Sequence, residues 1–247
     1  MNTAVISIVD GMADVWAKQF VDVFIKRPKK VERGGTIEIV PPRFSIIMKS
    51  SPQPDEVIST IQKAVTQAGP NGVLVFNVGH GVSANATDGV VDLAANHKFR
   101  LGGLNNADDP KVFVSVFYDL DPDGPGPRMS FQAEDEKFSI NPNRLKRWEK
   151  YKKIAKIVTD GRLRKVVFLT CKVGQSTDFL KKIALDWNVV VEAYKRRVQL
   201  TPQTNGRIRI HLEGDSPGQG TNVPASEENL FSNVVRSNDT VLVGPPL

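Results

Sequence analysis

Two short apolar runs, each closed by a residue able to do chemistry, limit what this chain can fold into. Val73-Leu74-Val75-Phe76-Asn77-Val78 leads into Gly79-His80-Gly81, and Val166-Val167-Phe168-Leu169 leads into Thr170-Cys171-Lys172-Val173-Gly174. Short continuous runs of apolar, mostly β-branched or aromatic residues read as strands buried on both faces, as in a parallel sheet. In open α/β sheets, ligands and chemistry gather at the carboxyl ends of the strands. The two runs therefore predict that a histidine and the chain's only cysteine arrive at one sheet edge.

The pattern between and around these runs is that of an α/β domain. Thr36-Ile37-Glu38-Ile39-Val40 and Phe44-Ser45-Ile46-Ile47-Met48 read as strands broken by Pro41-Pro42. Ser51 to Asp55 opens a helix whose apolar face is Val57, Ile58, Ile61, Ala64, Val65 and Ala68, closed by Gly69-Pro70. Strand 44–48, helix 54–68 and strand 73–78 make a βαβ unit, which requires parallel pairing. A small hairpin is expected over 90–94 and 97–101, and a strand over 111–120.

A helix follows Asn141-Pro142 and runs to Gly161 with Leu145, Trp148, Tyr151, Ile154, Ala155 and Val158 on one face. After the cysteine come a helix over 178–184 and a strand over 189–194. Residues 207–212 alternate with period two and read as a half-buried edge strand showing His211 to solvent. Residues 3–25 mix strand and helix signals and read as a peripheral element; 213–228 read as a long mobile loop. The expected organisation is a peripheral N-terminal segment (1–35), an α/β domain (36–212), and a mobile loop with the C-terminal segment (213–247). The expected fold is a mostly parallel central sheet with helices on both faces.

Composition narrows the function classes. A chain of 247 residues buries a full core. One cysteine rules out an intramolecular disulfide and suits a reducing compartment, and with three histidines it leaves few soft ligands for zinc. No secretory signal or membrane-length apolar run stands out, so a cytoplasmic location with no membrane partner is expected. The net charge of +6 is concentrated near Lys26–Arg33 and between Arg144 and Lys165. No aromatic-interleaved basic motif of the nucleic-acid-binding kind accompanies the charge, so nucleic acid is not an expected partner. Neither a Gly-x-Gly-x-x-Gly nor a Gly-x-x-x-x-Gly-Lys-Ser/Thr motif is present, which argues against a nucleotide cofactor.

A lone cysteine is most often a small core residue, and a histidine between glycines can be a satisfied turn residue. Position gives both a sharper reading. Cys171 follows a buried strand and precedes a helix, so the helix dipole and Lys172 are expected to favour thiolate. Gly79 and Gly81 around His80 let backbone N–H groups approach a substrate closely. A thiol, a base to take its proton and N–H groups to hold an oxyanion are what acyl transfer requires.

An apolar strand ending in Val78-Gly79-His80-Gly81, followed later by one ending in Cys171-Lys172-Val173-Gly174, resembles the caspase-like (clan CD) cysteine peptidases. That family includes caspases, metacaspases, gingipains, separase and bacterial CHAT domains. The helix and strand ending in Val189 to Tyr194 resemble the CHAT arrangement, and the likeness follows element order over about 36–212 with few identical residues. It implies a caspase-hemoglobinase sandwich, a polypeptide substrate and a His80–Cys171 dyad, with the backbone N–H groups of Gly81 and Cys171 as oxyanion hole. Leu169-Thr170 stand where caspases carry Gln-Ala, and no acidic residue precedes the cysteine as in metacaspases. P1 specificity therefore does not carry over. Glu192, one strand on, is the candidate to line the S1 pocket and favour a basic P1 residue.

No cofactor is otherwise expected. Asp119, Asp121 and Asp123 before Gly124 match the first half of a calcium loop, but Pro125 follows and Ser130 stands where its glutamate belongs. A Pro/Gly turn explains them better, and calcium stays open because some relatives in the resembled family use it. Two further readings stay open as well. One is a non-enzymatic caspase-like or flavodoxin-like interaction module with a structural Cys171. The other is a small-ligand α/β enzyme using the same strand edge. The oligomeric state is not set by the sequence.

Overall fold

The structure is a computed structural model describing residues 2–8, 29–33, 36–40, 44–48, 53–77, 81–83, 85–87, 89–93, 100–102, 104, 108, 142–196, 198–202, 207–212, 221–224 and 240–245. Its centre is a six-stranded sheet of β1 (Thr3–Ile8), β4 (Phe44–Met48), β5 (Val73–Asn77), β9 (Lys165–Leu169), β10 (Val190–Tyr194) and β14 (Thr240–Val243). The strands lie in the order β14-β10-β9-β5-β1-β4. All pairs are parallel except β10 with β14. Counted along the chain, the five parallel strands stand 2-1-3-4-5, the order also found in flavodoxin-like sheets.

Register explains why the strands read as continuous apolar runs. Ala4, Leu74, Val166 and Val191 align across neighbouring strands, as do Ile6, Phe76, Phe168 and Ala193, so these rows share one face. Val5, Val75, Val167 and Glu192 align on the other face, and they too are buried. Both faces being buried removes the polar half of the alternation.

Three helices pack on the first face. α1 (Pro54–Ala68) starts at a proline whose fixed φ suits a first turn, carries Asp55 and Glu56 at its positive end, and buries Val57, Ile58, Ile61, Ala64, Val65 and Ala68. Its end is set by Gly69, whose φ of 66° needs no Cβ and whose N–H donates to the Val65 carbonyl at 2.9 Å. α2 (Pro142–Asp160) buries Tyr151, Ile154, Ala155, Ile157 and Val158 in the same core. α3 (Thr177–Trp187) buries Phe179, Leu180, Ile183, Ala184 and Trp187 and closes at Asn188 in the left-handed conformation. Phe76 and Phe168 stack at 5.6 Å between ring centres, with Trp187 tilted against Phe168 at 6.4 Å. Each such side chain buried contributes about 1.5–3 kcal/mol, which makes this layer the main source of stability.

Three smaller sheets complete the described residues. β2 (Lys29–Arg33) pairs with β3 (Thr36–Val40). β6 (Gly81–Ser83), β7 (Gly89–Asp92) and β8 (Arg100–Gly102) form an antiparallel ribbon that contributes Val91 and Leu101 to the main core. β11 (Val198–Pro202), β12 (Arg207–Leu212) and β13 (Thr221–Pro224) form the third. No helix of the described residues is long and apolar enough to cross a membrane.

Several expectations need correcting. Residues 3–8 are not peripheral: β1 lies between β4 and β5, all six of its residues buried, so the βαβ unit crosses over an intervening strand. The described helices do not flank the sheet on both faces, since all three join the core on one. β12 is the middle strand of its sheet rather than an edge, because residues 221–224, expected in a loop, pair with it. The expected strand 111–120 lies outside the described residues.

Candidate active site

The parallel pairing of β5 with β9 sets the edge where a site can form. Asn77 is level with Leu169, so the two strands end side by side. Two residues past Leu169 comes Cys171, half-buried and with a free thiol. Lys172 then adopts a left-handed conformation with φ of 61° and donates its N–H to the Arg196 carbonyl at 3.2 Å. A β-carbon makes that region uncommon for a residue other than glycine, asparagine or aspartate. The sharp turn is followed by a 3-10 turn, Val173–Gln175, before α3 begins.

Gly81 opens β6 and packs directly on this turn. A Cβ built there would lie 2.5 Å from the Cys171 carbonyl oxygen and 2.7 Å from Thr170 Oγ1, and would run into Val173 Cγ2. Only glycine fits so close to another backbone. The contact is braced by Ser176, fully buried, whose Oγ is 2.6 Å from both Ser83 Oγ and the Asn85 carbonyl oxygen. Gln175 Nε2 donates to the Lys195 carbonyl at 2.7 Å, tying the turn to the end of β10.

The structure therefore brings Gly81 and Cys171 together, while His80 lies outside the described residues. The expected helix dipole at the thiol is displaced. Five residues separate Cys171 from Thr177, and the N–H groups of Asp178 and Phe179 donate to the Ala86 carbonyl at 2.9 and 3.3 Å. That helix end is capped by backbone from the loop after β6 and is not open to the sulfur.

Glu192 does not suit the S1 role expected of it. Its carboxylate accepts from Lys165 Nζ at 2.6 Å, and the side chains are only 6% and 7% exposed. In register it is level with Val167, four residues before Cys171 and so about 13 Å back along the strands. Its charge is compensated inside the sheet, which removes the basis for a basic P1 preference. Asp119, Asp121 and Asp123 lie outside the described residues, and no group of metal-binding side chains occurs among the described ones.

Sequence reasoning missed three residues. Thr170 is 1% exposed, and its Oγ1 has no hydrogen-bond partner. Ser176 carries the signal of a helix N-cap but bonds across to the β6 loop instead, a choice only the tertiary contact decides. The third is Asp108, whose carboxylate accepts from Lys182 at 2.9 Å. Away from the strand edge, Asp108, Lys182, Asp186 and Tyr151 form a chain of polar contacts between α2 and α3. Tyr151 donates to Asp186, and Lys182 Nζ lies 3.0 Å from the same carboxylate. Burial, the Asp186 charge and the bond to Asp186 hold the Tyr151 hydroxyl far above its ordinary range. The bond from Lys182 holds Asp108 below its ordinary value, against a smaller opposing effect of burial. Burial pulls Lys182 down, but its bonds to Asp108 and Asp186 more than offset this and leave it raised.

No family model matches the chain, and no curated protein or solved structure gives a significant match. The site has to be read from its own geometry.

Proposed function

We propose that the chain is a caspase-like cysteine endopeptidase in which Cys171 is the nucleophile and His80 the general base. The observation that carries this reading is the packing of Gly81, the neighbour of His80 in the chain, on the Cys171 backbone at the ends of two adjacent parallel strands. The left-handed Lys172 beside a half-buried thiol supports it, since strained backbone clusters where a side chain must be presented.

In this mechanism Cys171 Sγ attacks the scissile carbonyl carbon and His80 takes the thiol proton. The carbonyl oxygen becomes an oxyanion held by the N–H groups of Gly81 and Cys171. Collapse breaks the C–N bond, His80 gives its proton to the leaving amine, and a thioester remains. Water, deprotonated by His80, then hydrolyses the thioester and restores the thiol. A positioned general base supplies about 10²–10⁴-fold in rate.

The test uses an unbiased fluorogenic peptide library together with iodoacetamide labelling of the native protein. Hydrolysis that vanishes in Cys171→Ala and falls at least 10²-fold in His80→Ala, with Cys171 alkylated in the folded state, is the expected result. A thiol that stays inert until denaturation, with no cleavage of any peptide, overturns the reading and favours an interaction module with a structural cysteine.

A further inference from the structure

Among the described residues, two buried polar side-chain atoms lack a hydrogen-bond partner, Thr170 Oγ1 and Trp187 Nε1. The indole belongs to the last residue of α3 and lies in the hydrophobic core. Thr170 is different, because it immediately precedes Cys171 and its hydroxyl faces Gly81, 2.7 Å from where a Cβ would stand. Leaving a buried hydroxyl unpaired is unfavourable, whereas valine has the same branched shape and no group to satisfy. The hydroxyl therefore weakens the free protein at the one place where Gly81 meets the cysteine turn.

We propose that Thr170 is a positioning residue for the oxyanion-binding backbone at Gly81. Its hydroxyl is unpaired in the free protein and gains a hydrogen bond with the Gly81 backbone as Gly81 engages the tetrahedral intermediate. An interaction made only in the transition state raises turnover without tightening substrate binding. Catalytic hydrogen bonds are commonly unmade in a free enzyme and close in the reacting complex. The proposal rests on the peptidase reading above. It adds that the residue before the nucleophile, a threonine here, acts on rate through its hydroxyl alone.

Wild type, Thr170→Val and Thr170→Ser are compared by thermal unfolding, by the iodoacetamide alkylation rate of Cys171, and by kcat and KM on a peptide the wild type cleaves. The valine variant is expected to melt at the same temperature or higher and to alkylate at the wild-type rate. Its kcat should fall tenfold or more with KM little changed, and serine should restore kcat to within about threefold. A valine variant with wild-type kcat overturns the proposal and leaves the peptidase reading intact. One that melts well below wild type also overturns it, because the hydroxyl would then have a partner in the free protein. A wild type that cleaves no peptide removes both.

Discussion

Lys165 and Glu192 meet diagonally across the β9–β10 pair, Nζ donating to Oε2 at 2.6 Å on the sheet face away from the helices. Removing one partner of a buried ion pair strands the other charge, at a cost of about 3–5 kcal/mol. Glu192→Ala is expected to destabilise the protein in denaturant unfolding by up to about that much, whereas the double variant Lys165→Met/Glu192→Leu should lose less than the single one. An unchanged midpoint for Glu192→Ala would show that the carboxylate carries no such structural role.

The contact between Gly81 and the cysteine turn leads to a second prediction. In Gly81→Ala the new methyl meets the Cys171 carbonyl, which is backbone and cannot swing away. Overpacking of this kind costs about 1–3 kcal/mol. A thermal melt should drop accordingly, and peptide hydrolysis should fall by more than the stability loss accounts for. Wild-type turnover in Gly81→Ala would separate the glycine from the site.

Ser176→Ala tests the brace between β6 and the turn. The variant removes the hydroxyl that joins Ser83 Oγ and the Asn85 carbonyl to the turn, two part-buried hydrogen bonds worth about 0.5–1.5 kcal/mol each. Native-state hydrogen exchange should show faster opening at residues 81–87 than at α1, and uniform acceleration over the whole chain would contradict a local brace.

The polar chain between α2 and α3 makes stability depend on pH at both extremes. Asp108 is held below its ordinary 3.8, so its contribution is present above that pH and lost as pH falls through the lower folded value. Tyr151 is raised above its ordinary 10.0, so its contribution is present below pH 10 and lost as pH rises beyond it. Asp108→Asn should flatten the acid limb of a Tm-versus-pH profile, by little because that carboxylate is 79% exposed. Tyr151→Phe should shrink the tyrosinate absorbance step that accompanies alkaline unfolding by the share of one of the chain's three tyrosines. A Tyr151 that ionises in the folded protein near pH 10 would contradict the buried hydrogen bond.

The parts of this fold legible in sequence were those whose pattern is local. Strands 73–77 and 165–169 declared themselves by apolar runs, and α1 by its proline, its apolar stripe and Gly69. β1 did not, because residues 3–25 mix strand and helix signals, and only its pairing with β4 on one side and β5 on the other shows it to be central. The cysteine's place at a strand end was legible, whereas the packing of Gly81 on the turn that follows it is a tertiary contact the sequence does not display. The partners of Glu192 and Ser176 were not, since both are set by residues 27 and 91–93 positions away in the chain. A charge on a strand looks the same in sequence whether it lines a pocket or neutralises a lysine one strand over.

The same distances bear on how quickly the molecule can be made. β5 and β9, the pair at the sheet's centre, join residues about 90 positions apart, and β1 pairs with β5 across about 70. Closing loops of that size must precede any reward from the pairing, so parallel sheets of this kind assemble slowly, in milliseconds to seconds. During that interval the βαβ unit from β4 to β5 has a vacant slot at its middle, two apolar strand edges waiting for β1. Such edges recruit other chains when they stay open. Yield on refolding should therefore fall steeply with protein concentration, and β1 is the segment whose arrival ends the risk.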